Sequence, residues 1–448
     1  MKTPICDFVK QYAESKTARM HMPGHKGKSF LGFEQFDITE IMGADSLYEA
    51  DGIIAESESN ASALFGCKTF YSAEGSSLAI RAMLYLCTLY AKSQNKKPLI
   101  YAGRNAHKSF INTISLLDID IEWLEGNKDS SYLSFAIEPE ALENKIKNAQ
   151  ELPTAIYITS PDYLGNMANV SAISKICKKY GILLLVDNAH GAYLKFMPQS
   201  QHPIDLGADM CSDSAHKTLP VLTGGAYLHI SDNAPDLFAN GAKQALSLFG
   251  STSPSYLILQ SLDKANEYID GDYRTRLLHK AEAVKSIKYA LTENGYTLVG
   301  DEPTKITIET KKYGYKGYEF ADILRKNNIE CEFADPDYVV FMLSAESSES
   351  EINSLEEALL SIEKRQPITA YSPKMSIPKR AMTVRTATLS PYEEIDAKDA
   401  LGRILAFSEV GCPPAVPIVI SGEIIDGDAI KCFEYYGIEK CRVVKTLE

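Results

Sequence analysis

The stretch GILLLVDNAH, residues 181–190, decides the fold of this chain. Its apolar run, Ile182–Val186, is short and continuous, which is typical of a strand buried on both faces, and polar residues begin at Asp187. Other short apolar runs, PLIYA and TAIYITS, alternate with the helical patterns SSLAIRAMLYLCTLYAK and NVSAISKICKKYG. Such alternation predicts βαβ units. The predicted fold class is therefore α/β with a mainly parallel sheet.

The patterns on either side of this stretch divide the chain into three predicted regions. Residues 1–60 are polar, contain glycines and show few strand signals, so we expect an N-terminal arm. Residues 61–300 carry the alternating pattern of a large domain. Beyond residue 300, TKITIET, GYEFADILRKNNIECEFADPDYVVFML and SEINSLEEALLSIEK indicate strands and helices in a mixed order. Residues 301–448 are therefore predicted to form a C-terminal α+β domain.

The composition excludes several classes of protein. With 45% hydrophobic and 23% charged residues, the 448-residue chain is typical of a globular protein. A net charge of -13 argues against a nucleic-acid surface, because phosphate binding needs clustered basic residues. The nine cysteines form no CxxC pair and no close His/Cys cluster, so neither a disulfide framework nor a metal site is expected. No apolar run is long enough to span a bilayer, and we expect a cytoplasmic protein.

Two strand and helix ends carry polar groups that could bind a ligand. Asp187 lies where a buried strand ends, and open α/β sheets bind ligands at the carboxyl ends of their strands. A carboxylate there pairs with a cation or caps the next helix. In YSAEGSSLAIRAMLYL, Gly75, Ser76 and Ser77 precede an amphipathic helix, whose free amides and dipole favour an anion. Serine is also an ordinary N-cap residue, so a purely structural role stays open.

Two further motifs add an imidazole and an amine. His107 in GRNAHKSF follows the strand PLIYA, and Lys217 follows His216 in SDSAHKTLP. Taken singly, such residues are more often a structural histidine and a solvated lysine. Together with Asp187 and the serines, they match the needs of pyridoxal phosphate. Its phosphate needs a cradle, its ring a stacking partner, its pyridine nitrogen a carboxylate and its aldehyde a lysine.

The chain resembles the bacterial ornithine/lysine/arginine decarboxylase family. These are pyridoxal-phosphate enzymes with a large domain like that of aspartate aminotransferase, and the resemblance is to the short form without an N-terminal wing domain. The matching stretches, which run nearly end to end, are HMPGHKG (21–27), DITEIMGADSL (37–47), EGSS (74–77), RNAHKSF (104–110), VDNAHGA (186–192), SAHKTLPVLT (214–223), TSPSYLILQSLD (252–263), ALGRI (400–404) and PPAVPIVISGEII (413–425).

The resemblance implies roles for the residues of the site. Lys217 would form the Schiff base, with His216 beside it, and Asp187 would pair with the pyridine nitrogen. The other cofactor-binding residues would be His107, stacked on the ring, then Ser76, Ser77 and Ser214 on the phosphate, and also His190. Thr252 would reach the phosphate of a neighbouring subunit, which implies a homodimer or higher homo-oligomer with composite sites. No metal is implied.

The implied reaction is decarboxylation of a basic amino acid, arginine or lysine before ornithine, as in polyamine biosynthesis. Three departures from the family pattern, Glu74, LTGG (222–225) and SPDYLG (160–165), leave elimination or transamination open, and a non-enzymatic relative is the remaining alternative. Arg385 matches an arginine of the family. It either contacts the substrate or has a surface or interface role. Glu423 is either a carboxylate at the substrate entrance or an ordinary surface glutamate.

Overall fold

The computed structural model describes residues 1–124, 126, 132–370, 372–373, 377–408 and 415–445. The first two prolines of the motif at 413–425 lie outside the described residues. The strands within the described part of the chain are β1 (Lys68–Ser72), β2 (Leu99–Ala102), β3 (Asp120–Trp123), β4 (Ala155–Thr159), β5 (Leu183–Asp187), β6 (Met210–Asp213), β7 (Ala226–Ile230), β8 (Leu298–Val299), β9 (Lys305–Glu309), β10 (Phe333–Ala334), β11 (Tyr338–Met342), β12 (Tyr392–Asp396) and β13 (Lys440–Val444).

The α-helices are α1 (Pro4–Glu14), α2 (Ile53–Phe65), α3 (Gly75–Ser93), α4 (Lys108–Leu117), α5 (Pro139–Lys147), α6 (Val170–Tyr180), α7 (Ala215–Thr218), α8 (Asp236–Ser247), α9 (Tyr256–Asp270), α10 (Tyr273–Glu293), α11 (Gly317–Lys326), α12 (Glu349–Ser361), α13 (Val384–Thr388) and α14 (Gly427–Tyr435). Short 3₁₀ turns occur at Glu34–Phe36, Leu47–Glu49, Ala192–Phe196, Thr310–Tyr313 and Ala397–Asp399. Among the described helices, none is both long and apolar enough to cross a membrane.

The chain divides into two compact units, and the first of these comprises Met1–Pro98, Pro153–Ser160 and Val170–Leu277. Its strands lie in the order β1-β7-β6-β5-β4. β5 runs parallel to β4 and β6, whereas β7 runs antiparallel to β6 and β1. Every residue of β5 and of β6 is buried, as the continuous apolar run predicts for β5. The predicted α/β class with a mainly parallel sheet is confirmed.

The register of this sheet places two acidic residues at strand ends. Asp187 ends β5 and pairs with Thr159 of β4 on one side and with Ser212 of β6 on the other. Asp213 ends β6. Because β4, β5 and β6 are parallel, their carboxyl ends lie at the same edge, where the sequence predicts a ligand site.

The second unit comprises Leu99–Leu152, Pro161–Asn169 and Leu278–Glu448. In it β2 and β3 pair in parallel, β10-β11-β9-β8 form an antiparallel sheet, and β12 pairs with β13. Tyr296 stacks on Tyr313 with ring centroids 3.7 Å apart, inside an apolar core that includes Phe320 and Leu359. The predicted boundaries after residues 60 and 300 stay a prediction.

Helix α12 begins with a capping box. The Ser348 hydroxyl accepts a hydrogen bond from the Glu351 amide at 3.2 Å, and the Glu351 carboxylate accepts one from the Ser348 amide at 2.8 Å. Each bond satisfies an amide that the first helical turn leaves without a partner inside the helix. This cap therefore fixes where the helix starts.

Replacing Ser348 by alanine should lower the free energy of unfolding by about 1 kcal/mol, because the cap of α12 is lost. Urea titration followed by circular dichroism measures the change. Ser354→Ala, on the exposed face of the same helix, is the matched control and should change stability by only a few tenths of a kcal/mol. Equal losses in both variants would contradict the capping argument.

Candidate active site

Lys217 lies in α7, a single helical turn that follows the end of β6. Its amide donates to the Ser214 carbonyl at 3.0 Å, which closes the turn. Its Nζ lies 2.9 Å from Nε2 of His190, a buried residue three positions beyond the end of β5. The amine and the imidazole therefore meet at the edge of the sheet where β5 ends.

Asp187 is a buried carboxylate, with 2% of its surface exposed. Its Oδ2 accepts a hydrogen bond from the Tyr157 hydroxyl at 3.2 Å, and its Oδ1 accepts one from the Ala189 amide at 3.2 Å. Burial raises the pKa of Asp187, whereas the charge of Lys217 lowers it and favours the ionised form. The site thus places a buried carboxyl group at a strand end, where a cationic ligand group would favour its ionised form and offset the cost of burial.

The N-terminus of α3 carries the predicted serines. Ser76 and Ser77 lie in the first turn of this 19-residue helix. The Ser214 hydroxyl donates to the Ser76 hydroxyl at 2.8 Å, so residues from two separate segments meet at the helix end. Hydroxyls and the positive end of a helix dipole together favour a phosphate.

The glycines of LTGG have a structural role. The carbonyl of Gly224 accepts a hydrogen bond from the Gly75 amide at 2.7 Å, immediately before the serines of α3. Gly224 has φ +101°, and a Cβ there would lie 3.1 Å from the Ala73 carbonyl oxygen. A side chain at this position would therefore disturb the turn that leads into α3. The LTGG segment therefore supports the start of α3 through the backbone.

The Gly225 carbonyl determines which ring nitrogen of His216 carries the proton. This carbonyl lies 3.1 Å from the His216 amide and 3.0 Å from the His216 Nδ1. Because a carbonyl only accepts, Nδ1 carries the proton and Nε2 is the free acceptor. Burial lowers the pKa of His216, the bond to Gly225 opposes this, and the charge of Lys217 adds to the lowering. His216 is therefore neutral at neutral pH.

The Glu74 carboxylate contacts the loop that contains Ser251. Its Oε1 accepts a hydrogen bond from the Ser251 amide at 2.5 Å. Thr252, the next residue, is exposed, and Ser255 caps α9 just beyond it. The Glu74 carboxylate thus holds the loop that carries Thr252.

His107 belongs to the second unit. It is the N-cap of α4, and its Nδ1 accepts a hydrogen bond from the Ser109 amide at 3.1 Å. The ring is therefore held by its own helix, and its predicted contact with the cofactor ring stays a prediction.

Arg385 and Glu423 are held inside the second unit. Arg385 donates to the carbonyls of Ser115 and Leu116 at 3.0 and 2.8 Å, which stabilises the C-terminal end of α4. Glu423 is 2% exposed and accepts a hydrogen bond from Arg104 at 2.7 Å. The interpretation of Glu423 as a surface glutamate is wrong, because this buried ion pair occupies its carboxylate.

The SPDYLG departure is also structural. The Asp162 carboxylate accepts hydrogen bonds from the Asn166 amide and side chain, both at 2.9 Å, and closes the loop. The Lys305 ammonium donates to the Asp162 carbonyl at 3.3 Å. These contacts lie within the second unit and account for an acidic residue at this position.

Sequence reasoning missed Tyr157 and a group of buried polar residues behind Asp187. Tyr157 reads as an ordinary aromatic residue of a buried strand, and only the pairing of β4 with β5 brings it to Asp187. The buried group consists of Asn188, His202, Asp213 and His229. One sequence signal pointed to this group, because Asp213 directly precedes Ser214, a predicted site residue.

The first unit fits pyridoxal phosphate by the chemistry of its groups. Ser76 and Ser214 bring two hydroxyls together at a helix N-terminus, a combination suited to a phosphate. Asp187 is a buried carboxyl group suited to a protonated ring nitrogen, and Lys217 is an amine suited to an aldehyde. Anion cradle, carboxylate and lysine therefore occur in one compact unit.

Comparison with known proteins agrees with this chemistry. The Orn/Lys/Arg decarboxylase major domain matches residues 3–294. The chain is 29% identical over 467 residues to the uncharacterised protein YaaO of Bacillus subtilis, covering 96% of this chain and 93% of that protein. It is 29% identical over 460 residues to an arginine decarboxylase of Halalkalibacterium halodurans, covering 95% and 91%. The lysine decarboxylase LdcF of Francisella novicida has the same fold, with a TM-score of 0.80, 16% identity and coverage of 99% and 81%.

The match to the major domain covers more than half of the chain, including the strands, helix ends and loops that carry Asp187, Ser76, Ser214 and Lys217. The chain therefore belongs to the Orn/Lys/Arg decarboxylase family: it is a lyase that decarboxylates a basic amino acid with pyridoxal phosphate.

Proposed function

We propose that the substrate is arginine and that Lys217, Asp187 and the serines at α3 form the active site. The observation that carries this site is the contact of the Lys217 amine with His190 beside the end of β5. Arginine is favoured over lysine because the arginine decarboxylase of Halalkalibacterium halodurans aligns with almost the whole chain at 29% identity. The lysine decarboxylase LdcF of Francisella novicida is 16% identical, which supports the fold alone.

Each side chain of the proposed site has a distinct role. Lys217 holds the cofactor aldehyde, and Ser76, Ser77 and Ser214 bind its phosphate. When bound, pyridoxal phosphate accepts the electron pair that departing CO₂ leaves on the α-carbon. Asp187 keeps a proton on the ring nitrogen through a charge-assisted hydrogen bond, which this electron acceptance requires.

Lys217 is the better candidate to protonate the α-carbon after CO₂ leaves. His216 is neutral, and its one ring proton is bound to the Gly225 carbonyl. Its Nε2 is therefore an acceptor, whereas the Lys217 ammonium has protons to donate. His190, 2.9 Å from Nζ, can orient the amine.

The departures that left elimination or transamination open have structural explanations. Gly224 and Gly225 support the phosphate loop and His216 through their carbonyls, and Glu74 binds the Ser251 amide. None of these contacts requires a different reaction. We therefore retain decarboxylation as the proposed reaction, because these departures give no reason to choose another.

Purified protein with added pyridoxal phosphate should release CO₂ from arginine with a kcat/KM about tenfold or more above that for lysine, because a pocket built for a guanidinium leaves polar groups unpaired with an ammonium. Labelled CO₂ release from arginine, lysine and ornithine measures this. Ammonia and keto-acid assays on the same samples are the control for elimination and transamination. Faster turnover of lysine would overturn the arginine assignment, and keto-acid formation without CO₂ would overturn decarboxylation.

Lys217→Ala should remove the visible absorption band of the covalently bound cofactor, because the amine that holds the aldehyde is gone. Lys178→Ala, on the exposed surface of α6, is the matched control and should keep the band. If the band survives dialysis in Lys217→Ala, a different lysine holds the cofactor.

We also propose a cytoplasmic homodimer in which Thr252 completes the phosphate site of the partner. Support comes from the exposure of Thr252 in the single chain and from the contact of Glu74 with the adjacent Ser251. A loop that is held in place yet exposed at its next residue is suited to a neighbouring subunit.

Thr252→Ala should weaken cofactor binding about tenfold, because one hydrogen bond to a charged phosphate is lost. Ser253→Ala is the matched control in the same loop and should bind cofactor normally. Sedimentation of the native protein should show no active monomer. A monomer with full activity, or normal cofactor affinity in Thr252→Ala, would contradict the composite site.

A further inference from the structure

A fully buried polar network lies behind Asp187. Asp213, at the end of β6, has no exposed surface. Its Oδ2 accepts hydrogen bonds from Nε2 of His202 at 3.0 Å and from Nε2 of His229 at 3.2 Å. Its Oδ1 accepts one from the side-chain amide of Asn188 at 2.7 Å. Three donors from separate segments thus converge on one carboxylate.

The imidazoles keep this carboxylate ionised. Burial opposes ionisation of Asp213, but the two histidines hold its pKa below the usual range. His229 is itself held through its other ring nitrogen, which lies 2.9 Å from the Thr69 hydroxyl. The anion therefore has fixed partners and a fixed position.

Asn188 connects this network to the active site, because it directly follows Asp187. The backbone amide of Asn188 donates to the Ser212 carbonyl at 2.9 Å, and the backbone carbonyl of Asn188 accepts from the Gly191 amide at 2.8 Å. A Cβ at Gly191 would lie 2.1 Å from the Asn188 Oδ1, so the Asn188 side chain packs directly on this turn. The turn of residues 187–191 also carries His190, which contacts Lys217.

We propose that Asp213 is a positioning residue that acts through Asn188 to fix the turn 187–191, and with it the direction of Asp187 and His190. The inference rests on the proposed function, in which Asp187 binds the ring nitrogen. It adds a reason for the charge at Asp213, since a neutral amide cannot accept from three donors. The next residue, Ser214, contacts Ser76, so the same carboxylate borders both halves of the site.

The alternative interpretation of this cluster is a metal site that includes Cys211. Its Sγ lies 3.8 Å from His202 Nε2 and 3.9 Å from Asp213 Oδ1, and these three residues are a possible ligand group. Cysteine, histidine and aspartate all bind zinc. The hydrogen bonds on the Asp213 carboxylate need no metal ion, because His202 and His229 both lie at hydrogen-bond distance from it. Burial raises the pKa of the Cys211 thiol.

The test is a double-mutant cycle on the cofactor-loaded enzyme. Asp213→Asn and Asn188→Ala should each lower kcat about tenfold to a hundredfold with little change in KM, because a misplaced carboxylate slows the reaction without removing a substrate contact. Both should alter the circular dichroism band of the bound cofactor in the visible range. Because Asp213 acts through Asn188, the double variant should be no slower than the worse single variant.

Asp263→Asn is the matched control. Asp263 is another buried carboxylate of the first unit, and it accepts hydrogen bonds from the Ser57 hydroxyl and from the amides of Ile5 and Cys6. This variant should lower the melting temperature and leave kcat and the visible band unchanged.

Three results would overturn the inference. The first is a normal kcat in both single variants, and the second is a pair of kcat losses that multiply in the double variant. The third is about one equivalent of bound zinc per chain in the native protein that is lost in Cys211→Ala. Asp187→Asn separates this failure from failure of the proposed function, because it should bind cofactor and lower kcat about a thousandfold. Normal turnover in Asp187→Asn would contradict the ring-nitrogen assignment itself.

Discussion

The burial of Asp187 at the carboxyl end of β5 is the constraint on which the rest of the site depends. A carboxylate in this position loses its hydration, and an unpaired buried charge costs several kcal/mol, on the order of 3–5 when a buried pair is broken. Tyr157 and Ala189 supply hydrogen bonds, and the charge of Lys217 favours ionisation. In the proposed site, a protonated ring nitrogen would offset the remaining cost, and the same interaction would make the ring a better electron acceptor.

The surroundings of the site are held partly by backbone groups. Gly224 and Gly225 present carbonyls to Gly75 and His216, so the start of α3 and the turn α7 are both hydrogen-bonded to neighbouring glycines. Such contacts need close approach of the backbone, which explains why a side chain at Gly224 would collide with Ala73. Departures from a family pattern therefore need not signal a change of chemistry.

Much of the fold and the positions of the principal groups were predictable from sequence. Continuous apolar runs identify β5, helical periodicity identifies α3 and α6, and the polar residues at their ends include Asp187 and Ser76. The network around Asp213 could not be predicted, because His202, Asp213 and His229 meet only through the antiparallel pairing of β6 with β7 and the loop before β6. Glu423 was misread for a similar reason, since its partner Arg104 lies more than 300 residues away in the chain.

The measurement that tests the central claim most directly is the location of the cofactor on the polypeptide. Borohydride reduction makes the bond between cofactor and lysine permanent, and tryptic digestion with mass spectrometry then identifies the modified residue. We expect modification at Lys217, in a peptide of residues 196–243 whose internal cleavage is blocked. Modification of any other lysine, with Lys217 left free, would contradict this assignment.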